Sequence, residues 1–192
     1  MIDMTKDTFS TSRRSILRLG VLSAAGIGIG IPAVSGSAAA TVCPKTPGYW
    51  ANRAPDSEWE PLFDGSETYN MRGVTKDLEG WREFLLAPTK GDKAHIMAKH
   101  RLATLLNLRN RPGDDQTCSD ANIRGTDYTI QTVKNNAGAW LDATDWANYG
   151  ETNYKKQRSW TVDGMDGETI KDTLDAFNND PSSLGLYCPC DD

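Results

Sequence analysis

The sequence predicts a mainly α fold, a small irregular helical bundle with a coil-rich, disulfide-tied N-terminal section. Three observations carry that prediction. In four stretches after residue 74, apolar residues recur at three- and four-residue steps, the period of a helix with one buried face. Residues 41–73 are instead dense in Pro, Gly, Asn and Asp, with Trp50, Trp59 and Phe63 interleaved, which reads as packed coil with a turn or two of helix. All four cysteines, Cys43, Cys118, Cys188 and Cys190, lie beyond residue 40, an even set suited to disulfides in an exported chain.

Export is predicted by the first 40 residues. Ser12-Arg13-Arg14-Ser15-Ile16-Leu17-Arg18 precedes an apolar run from Leu19 to about Val34, and small residues close it at Ser35-Gly36-Ser37-Ala38-Ala39-Ala40. A charged start, an apolar centre and an Ala-x-Ala end define a secretory signal. The pair Arg13-Arg14 makes it resemble a twin-arginine signal, whose partner is the twin-arginine translocase and whose cargo is already folded. The apolar run holds Gly20, Gly26, Gly28 and Gly30 and is broken by Pro32, so it is too short for a membrane anchor of about 20 apolar residues. Residues 1–40 are therefore expected to be a cleaved leader and residues 41–192 a single secreted domain, with no membrane span after cleavage.

The whole chain of 192 residues carries 21 Lys and Arg against 26 Asp and Glu; the leader holds four of the former and two of the latter, leaving a net charge of −7. An acidic surface argues against nucleic acid or an anionic membrane as partner, because both select basic patches. The remaining 152 residues suit one ordinary domain, able to bury roughly 70% of its unfolded surface.

In order, the elements are as follows. Leu78, Trp81 and Leu85 share a helical face in the stretch from Thr75, which Pro88 stops. The strongest helix runs from Asp92, its N-cap, to about Asn110, with Ala94, Met97, Ala98, Leu102, Leu105 and Leu106 at helical steps. A third spans about Asp127 to Leu141 through Ile130, Val133, Ala137 and Trp140. Residues 142–163 look irregular apart from a short strand at 159–162. The last helix starts near Asp166 and presents Ile170, Leu174 and Phe177.

The chemistry-bearing residues are few. Four cysteines allow three pairings, and a bridge across Cys188-Pro189-Cys190 would strain disulfide geometry, so Cys43 and Cys118 are expected to pair separately with that tail. Zinc sites use Cys-x(2–4)-Cys knuckles, which Cys-x-Cys does not supply. His95 and His100 stand five apart, about 140° around a helix, where a metal pair needs four; they read as solvated or capping side chains. No Gly-x-Ser-x-Gly or phosphate loop is present after the leader. Asp163-Gly164-Met165-Asp166-Gly167-Glu168 lacks the alternating oxygen ligands of a calcium loop, and Asp166 reads as a helix cap. No catalytic, cofactor or metal residue is assigned. Two alternatives stay open: a secreted hydrolase using Asp142, Asp145 or Glu151 near Trp146, and a glycan-binding module stacking sugars on Trp50 or Trp59.

Cys43-Pro44-Lys45-Thr46-Pro47-Gly48-Tyr49-Trp50-Ala51-Asn52-Arg53 resembles the Cys-x-x-Thr-x-Gly-Tyr-Trp-Lys-Asn-His opening of a family of secreted bacterial and archaeal proteins of uncharacterised function. Lys99-His100-Arg101-Leu102-Ala103-Thr104-Leu105-Leu106-Asn107-Leu108 is similar to that family's alanine- and leucine-rich helix ending in Leu-Asn, with Trp81-Arg82-Glu83-Phe84-Leu85 between the two motifs. Ala51 and Arg53 depart from the pattern, and the family supplies no catalytic residues to carry over. With the acidic balance and the leader, the resemblance implies a haloarchaeal member. Gly48, Tyr49, Trp50 and Asn107 become the structural motif: Asn107, a poor helix former among leucines, is expected to hydrogen-bond backbone of the Pro47–Asn52 loop while Trp50 packs on the Leu102–Leu106 face. The function expected from the whole is a non-catalytic extracellular or cell-surface domain that binds a surface protein or glycan, or builds structure.

Overall fold

A computed structural model of the chain describes residues 43–110 and 117–188, all within the unit Ala38–Asp192. The leader, with Arg13 and Arg14, lies outside the described residues, as does Cys190. The fold is mainly α. Among the described residues, no helix is long and apolar enough to cross a membrane.

Helix α4 (Lys93–Arg109) is the axis of the domain. Asp92 caps it by accepting from the Ala94 amide at 3.1 Å, and every residue from Arg101 to Asn107 is buried. A helix buried around its circumference must be covered on all sides. Here α1 (Pro47–Asn52), α2 (Asp56–Phe63), α6 (Ile130–Asp142) and α7 (Gly167–Asn179) cover it. Helix α3 (Leu78–Leu86) packs on α1, and the short α5 (Thr117–Asp120) meets α6. Helices α3, α6 and α7 start at Asp77, Thr129 and Asp166, whose side-chain oxygens accept amide hydrogens of their first turns. Helix α6 therefore begins three residues later than the periodicity of residues 127–141 suggested.

The N-terminal section is more regular than its composition predicts. Thr46 caps α1 by accepting from the Tyr49 amide, and Pro47 occupies the first helical position, where its missing N–H costs nothing. Helix α2 carries Asp56 and Glu58 in its first turn and closes at Asp64 in the left-handed region, φ 50°. Pro55 and Pro61 disguise it in the sequence.

Among the described residues, the paired strands form two hairpins. Strands β1 (Tyr69–Met71) and β2 (Val74–Lys76) pair antiparallel, Tyr69 opposite Lys76, through Arg72-Gly73 with φ of 55° and 92°. Strands β3 (Thr161–Val162) and β4 (Met165–Asp166) pair through Asp163-Gly164 with φ of 47° and 78°. Positive φ at both central residues is the turn that matches strand twist. Asp163-Gly164 thus makes a hairpin, and Asp166 caps α7 as expected.

Trp50, Trp59, Trp81, Trp140 and Trp146 are all fully buried. At ~25 cal/mol per Å² and about 150–250 Å² each, every one contributes an upper figure of about 4–6 kcal/mol of transfer free energy. Four of them also tie distant segments through the indole N–H. Trp50 donates to the Asn107 side chain (3.2 Å), Trp81 to the Tyr69 carbonyl (3.1 Å), Trp140 to the Trp160 carbonyl (3.0 Å) and Trp146 to the Met71 carbonyl (2.9 Å). Among the described residues Trp59 Nε1 has no such partner; Arg82 lies over its ring at 5.9 Å.

Candidate functional site

The opening motif meets α4 at Asn107. Asn107 Oδ1 accepts from the Lys45 amide (2.7 Å) and from Trp50 Nε1 (3.2 Å), while Nδ2 donates to the Lys45 carbonyl (2.9 Å) and to Asn178 Oδ1 (2.8 Å). One amide side chain thereby uses both lone pairs and both hydrogens. Asn178, at 0% exposure, also accepts from Thr104 (3.1 Å) and donates to the His100 carbonyl (3.0 Å), so α4 and α7 share the network. The expected backbone partner shifts: it is Lys45, just before α1, and not the Pro47–Asn52 segment. Trp50 joins the core cluster that holds Leu102 and Leu106. Tyr49 donates to the Glu58 carboxylate at 3.0 Å, which helps raise its hydroxyl pKa behind the larger effect of burial. Gly48 is exposed, helical, and has room for a Cβ, so the local geometry does not require glycine there.

Cys118 and Cys188 form a disulfide with Cα atoms 5.0 Å apart across 70 residues, and Cys43 is disulfide-bonded as well. The pairing of Cys118 with the tail agrees with the strain argument.

Both sugar-stacking tryptophans are corrected by burial. Trp50 and Trp59 are at 0% exposure and present no face to a sugar. The three hydrolase carboxylates serve different local bonds. Asp142 pairs with Arg72 at 2.8 Å, and Asp145 accepts from Asn148 (2.8 Å) and the Lys155 amide (2.6 Å), the Asn148 bond leading in holding its carboxyl below the usual range. Glu151 lines a cleft.

That cleft, of about 470 Å³, lies between the loop before α4 and the loop after the short 3-10 turn Trp146–Asn148. Its floor is Asp92, His95, Tyr149 and Tyr154; Lys90, Glu151 and Lys156 stand at its rim. Asp92 is 1% exposed: Oδ2 accepts from Tyr154 at 2.6 Å, and Oδ1 accepts from the Ala94 and Gln157 amides. His95, at 3% exposure, corrects the expectation of a solvated or capping histidine. Its ring stacks on Phe84 with centroids 4.6 Å apart, Nε2 lies 3.2 Å from the Phe84 carbonyl, and Nδ1 lies 3.2 Å from the Tyr149 hydroxyl. Burial holds the imidazole below its usual pKa, and hence neutral at pH 7. A carbonyl only accepts, so Nε2 carries the hydrogen and Tyr149 donates to Nδ1. Burial pushes both phenols up, and the bond to Asp92 adds to this at Tyr154. Both phenolic protons therefore point inward, leaving oxygen lone pairs, ring edges and two rim ammonium groups for a ligand.

His100 is partly buried rather than solvated, with Nδ1 3.5 Å from Asp175. Burial again lowers its pKa, against the opposing pull of Asp175. The cleft escaped sequence reasoning because its floor joins Asp92 to Tyr154, 62 residues away. One signal was present: His95, Ala98, Leu102 and Leu106 follow the apolar stripe of α4. The chain matches no protein-family model, no curated protein and no solved structure.

Proposed function

We propose that the protein is an exported, disulfide-stabilised, non-catalytic domain of the cell exterior, delivered folded by the twin-arginine translocase, and that it binds a cell-surface protein or glycan through the cleft over Tyr149 and Tyr154. The observation that carries this reading is the commitment of the cleft floor. Asp92 accepts three hydrogen bonds, both nitrogens of His95 are engaged, and both tyrosines donate inward. Acid–base catalysis needs a group free to take or give a proton near neutral pH. Recognition needs only fixed acceptors, aromatic edges and charges, which Tyr149, Tyr154, Lys90 and Lys156 supply.

The test is an array of glycans and cell-envelope fractions probed with purified residues 41–192, run beside a hydrolase panel. Binding that drops on Lys90→Glu with Lys156→Glu, while the fold stays intact, is the expected result. Substrate turnover lost in Glu151→Gln would overturn the reading in favour of a hydrolase.

A further inference from the structure

Charge sets apart the two segments that form the tyrosine cleft. Residues 88–100 and 149–160 carry six Lys and Arg against two Asp and Glu, whereas the rest of residues 41–192 carries 11 against 22. Lys90 and Lys156 line the cleft and are exposed, and among the described residues neither ammonium group is in an ion pair. Lys90 is held in an unusual backbone conformation. Its φ is 48° and that of Gly91 is 76°, inside a turn closed by the Asp92 amide donating to the Thr89 carbonyl at 2.9 Å. Asn, Asp or Gly is the usual occupant of such a position, so the lysine is not there for the turn. Arg158, from the other segment, donates from Nη1 to the Lys90 carbonyl at 3.1 Å, which braces the turn and brings a third cation to it. The two anions are placed differently. Asp92 is buried and accepts from Tyr154 and the Ala94 and Gln157 amides, while Glu151 is exposed at the rim.

We propose that the ligand of this cleft is an acidic saccharide, a sugar chain carrying carboxylate or sulfate groups. The inference rests on the recognition reading given above and names its ligand. The floor is rich in acceptors: the Tyr149 and Tyr154 hydroxyl hydrogens are directed to His95 and Asp92, so their oxygens accept, as does the Glu151 carboxylate. A fitting ligand therefore brings hydrogen-bond donors to the middle and negative charge to the edges. A sugar acid does both, because its hydroxyls donate to the phenolic oxygens and to Glu151 while its anionic groups meet Lys90 and Lys156. The side chains of an acidic peptide bring charge without donors, since an ionised carboxylate only accepts. A cleft of about 470 Å³ lies within the usual size range of small-ligand sites. The acidic remainder of the surface repels a polyanion elsewhere and steers it to this one basic cleft.

Calorimetric titration of the oxidised protein tests it with polygalacturonate, dextran sulfate, uncharged dextran and polyglutamate at one ionic strength. Saturable binding to polygalacturonate, to dextran sulfate or to both is expected, with dextran and polyglutamate much weaker, and the two acidic polymers tell carboxylate from sulfate. Lys90→Gln with Lys156→Gln, in a variant whose circular dichroism matches the parent, should weaken that binding by about a hundredfold, about tenfold for each charge-assisted hydrogen bond lost. Lys134→Gln on α6, which does not line the cleft, should leave it unchanged. Polyglutamate bound as tightly as the acidic polysaccharides would overturn the saccharide, and dextran bound as tightly would overturn the need for charge. Equal losses in the cleft and Lys134→Gln variants would overturn the site. No binding to either acidic polysaccharide also overturns the inference, and the array of glycans and envelope fractions then separates the two failures: a signal there leaves the recognition reading standing, and silence removes it as well.

Discussion

Replacing Asn107 by Leu keeps the approximate volume and removes all four hydrogen bonds that its side chain makes at the junction of α1, α4 and α7. Trp50 Nε1 then loses its partner inside the core, where the tryptophan is at 0% exposure. An orphaned buried donor costs about 1–3 kcal/mol. Asn178 Oδ1 keeps Thr104 but loses a second bond, worth about 0.5–1.5 kcal/mol. The Lys45 amide and carbonyl are only partly buried and regain water, so their loss is smaller. The expected destabilisation is about 3–4 kcal/mol, read by urea unfolding of the oxidised protein with tryptophan fluorescence. Asn107→Asp separates the donor from the acceptor role. It keeps the Lys45 amide and Trp50 bonds but sets a carboxylate oxygen against the Lys45 carbonyl and Asn178 Oδ1. The folded-state pKa of that Asp is raised, so the variant is most destabilised at neutral pH and recovers as pH falls through the raised value. A loss below about 1 kcal/mol for Asn107→Leu would refute the clasp, because a merely surface asparagine is worth no more than that.

Three further outcomes follow from the same geometry. Gly167→Ala places a Cβ 2.4 Å from Trp140 Nε1 and 2.8 Å from the Trp160 carbonyl, between a donor and its acceptor; a loss of about 2–4 kcal/mol is expected in thermal or urea unfolding, and a neutral substitution would contradict the packing. Reducing Cys118–Cys188, which spans 70 residues, should cost about 4 kcal/mol in the chain-entropy account, seen as a lowered urea midpoint in the Cys118→Ser, Cys188→Ser protein. His95 and His100 both have folded pKa values below the ordinary 6.5, so the unfolded chain binds protons that the folded one refuses. Stability therefore rises with pH through the window below 6.5 and levels off above it. His95→Phe should flatten that slope in melting curves at pH 5 to 7 while lowering the plateau, since the Phe84 carbonyl and Tyr149 hydroxyl lose their partner; an unchanged slope would place His95 outside the titration.

Much of the helical scaffold is legible in the residues because local signals and packing agree there. Asp92 and Asp166 announce helix starts by their capping chemistry, and the leucine spacing of α4 announces its burial. The hairpins are less visible. Arg72-Gly73 places a non-glycine residue at positive φ where Asn or Asp is the usual signal, and the Arg72 side chain lying on Gly138 helps hold it. Asp163-Gly164 carries the usual signal, but its strands are two residues each, too short for alternation to register. Asn107 was found because a polar residue in an apolar helix must be satisfied somewhere, although its backbone partner lies two residues earlier than the loop predicted. The cleft depends on side chains that meet only after α3, α4 and the 149–156 loop have packed, and no local pattern encodes such a meeting.

The four bonds of Asn107 also impose an order of events. Its partners lie 57 to 71 residues away, and Asn178 reaches back 78 residues to His100, so none forms by local search. Long-range closure is slow, and the acceptor and donor that Lys45 meets are in place only once α4 has formed around Asn107. Docking of Lys45 is thus expected to follow formation of α4, and its protection reports that Asn107 is already in place. Pulsed hydrogen exchange during refolding should protect the Lys45 amide after those of α4, and earlier protection of Lys45 would reverse the sequence of assembly.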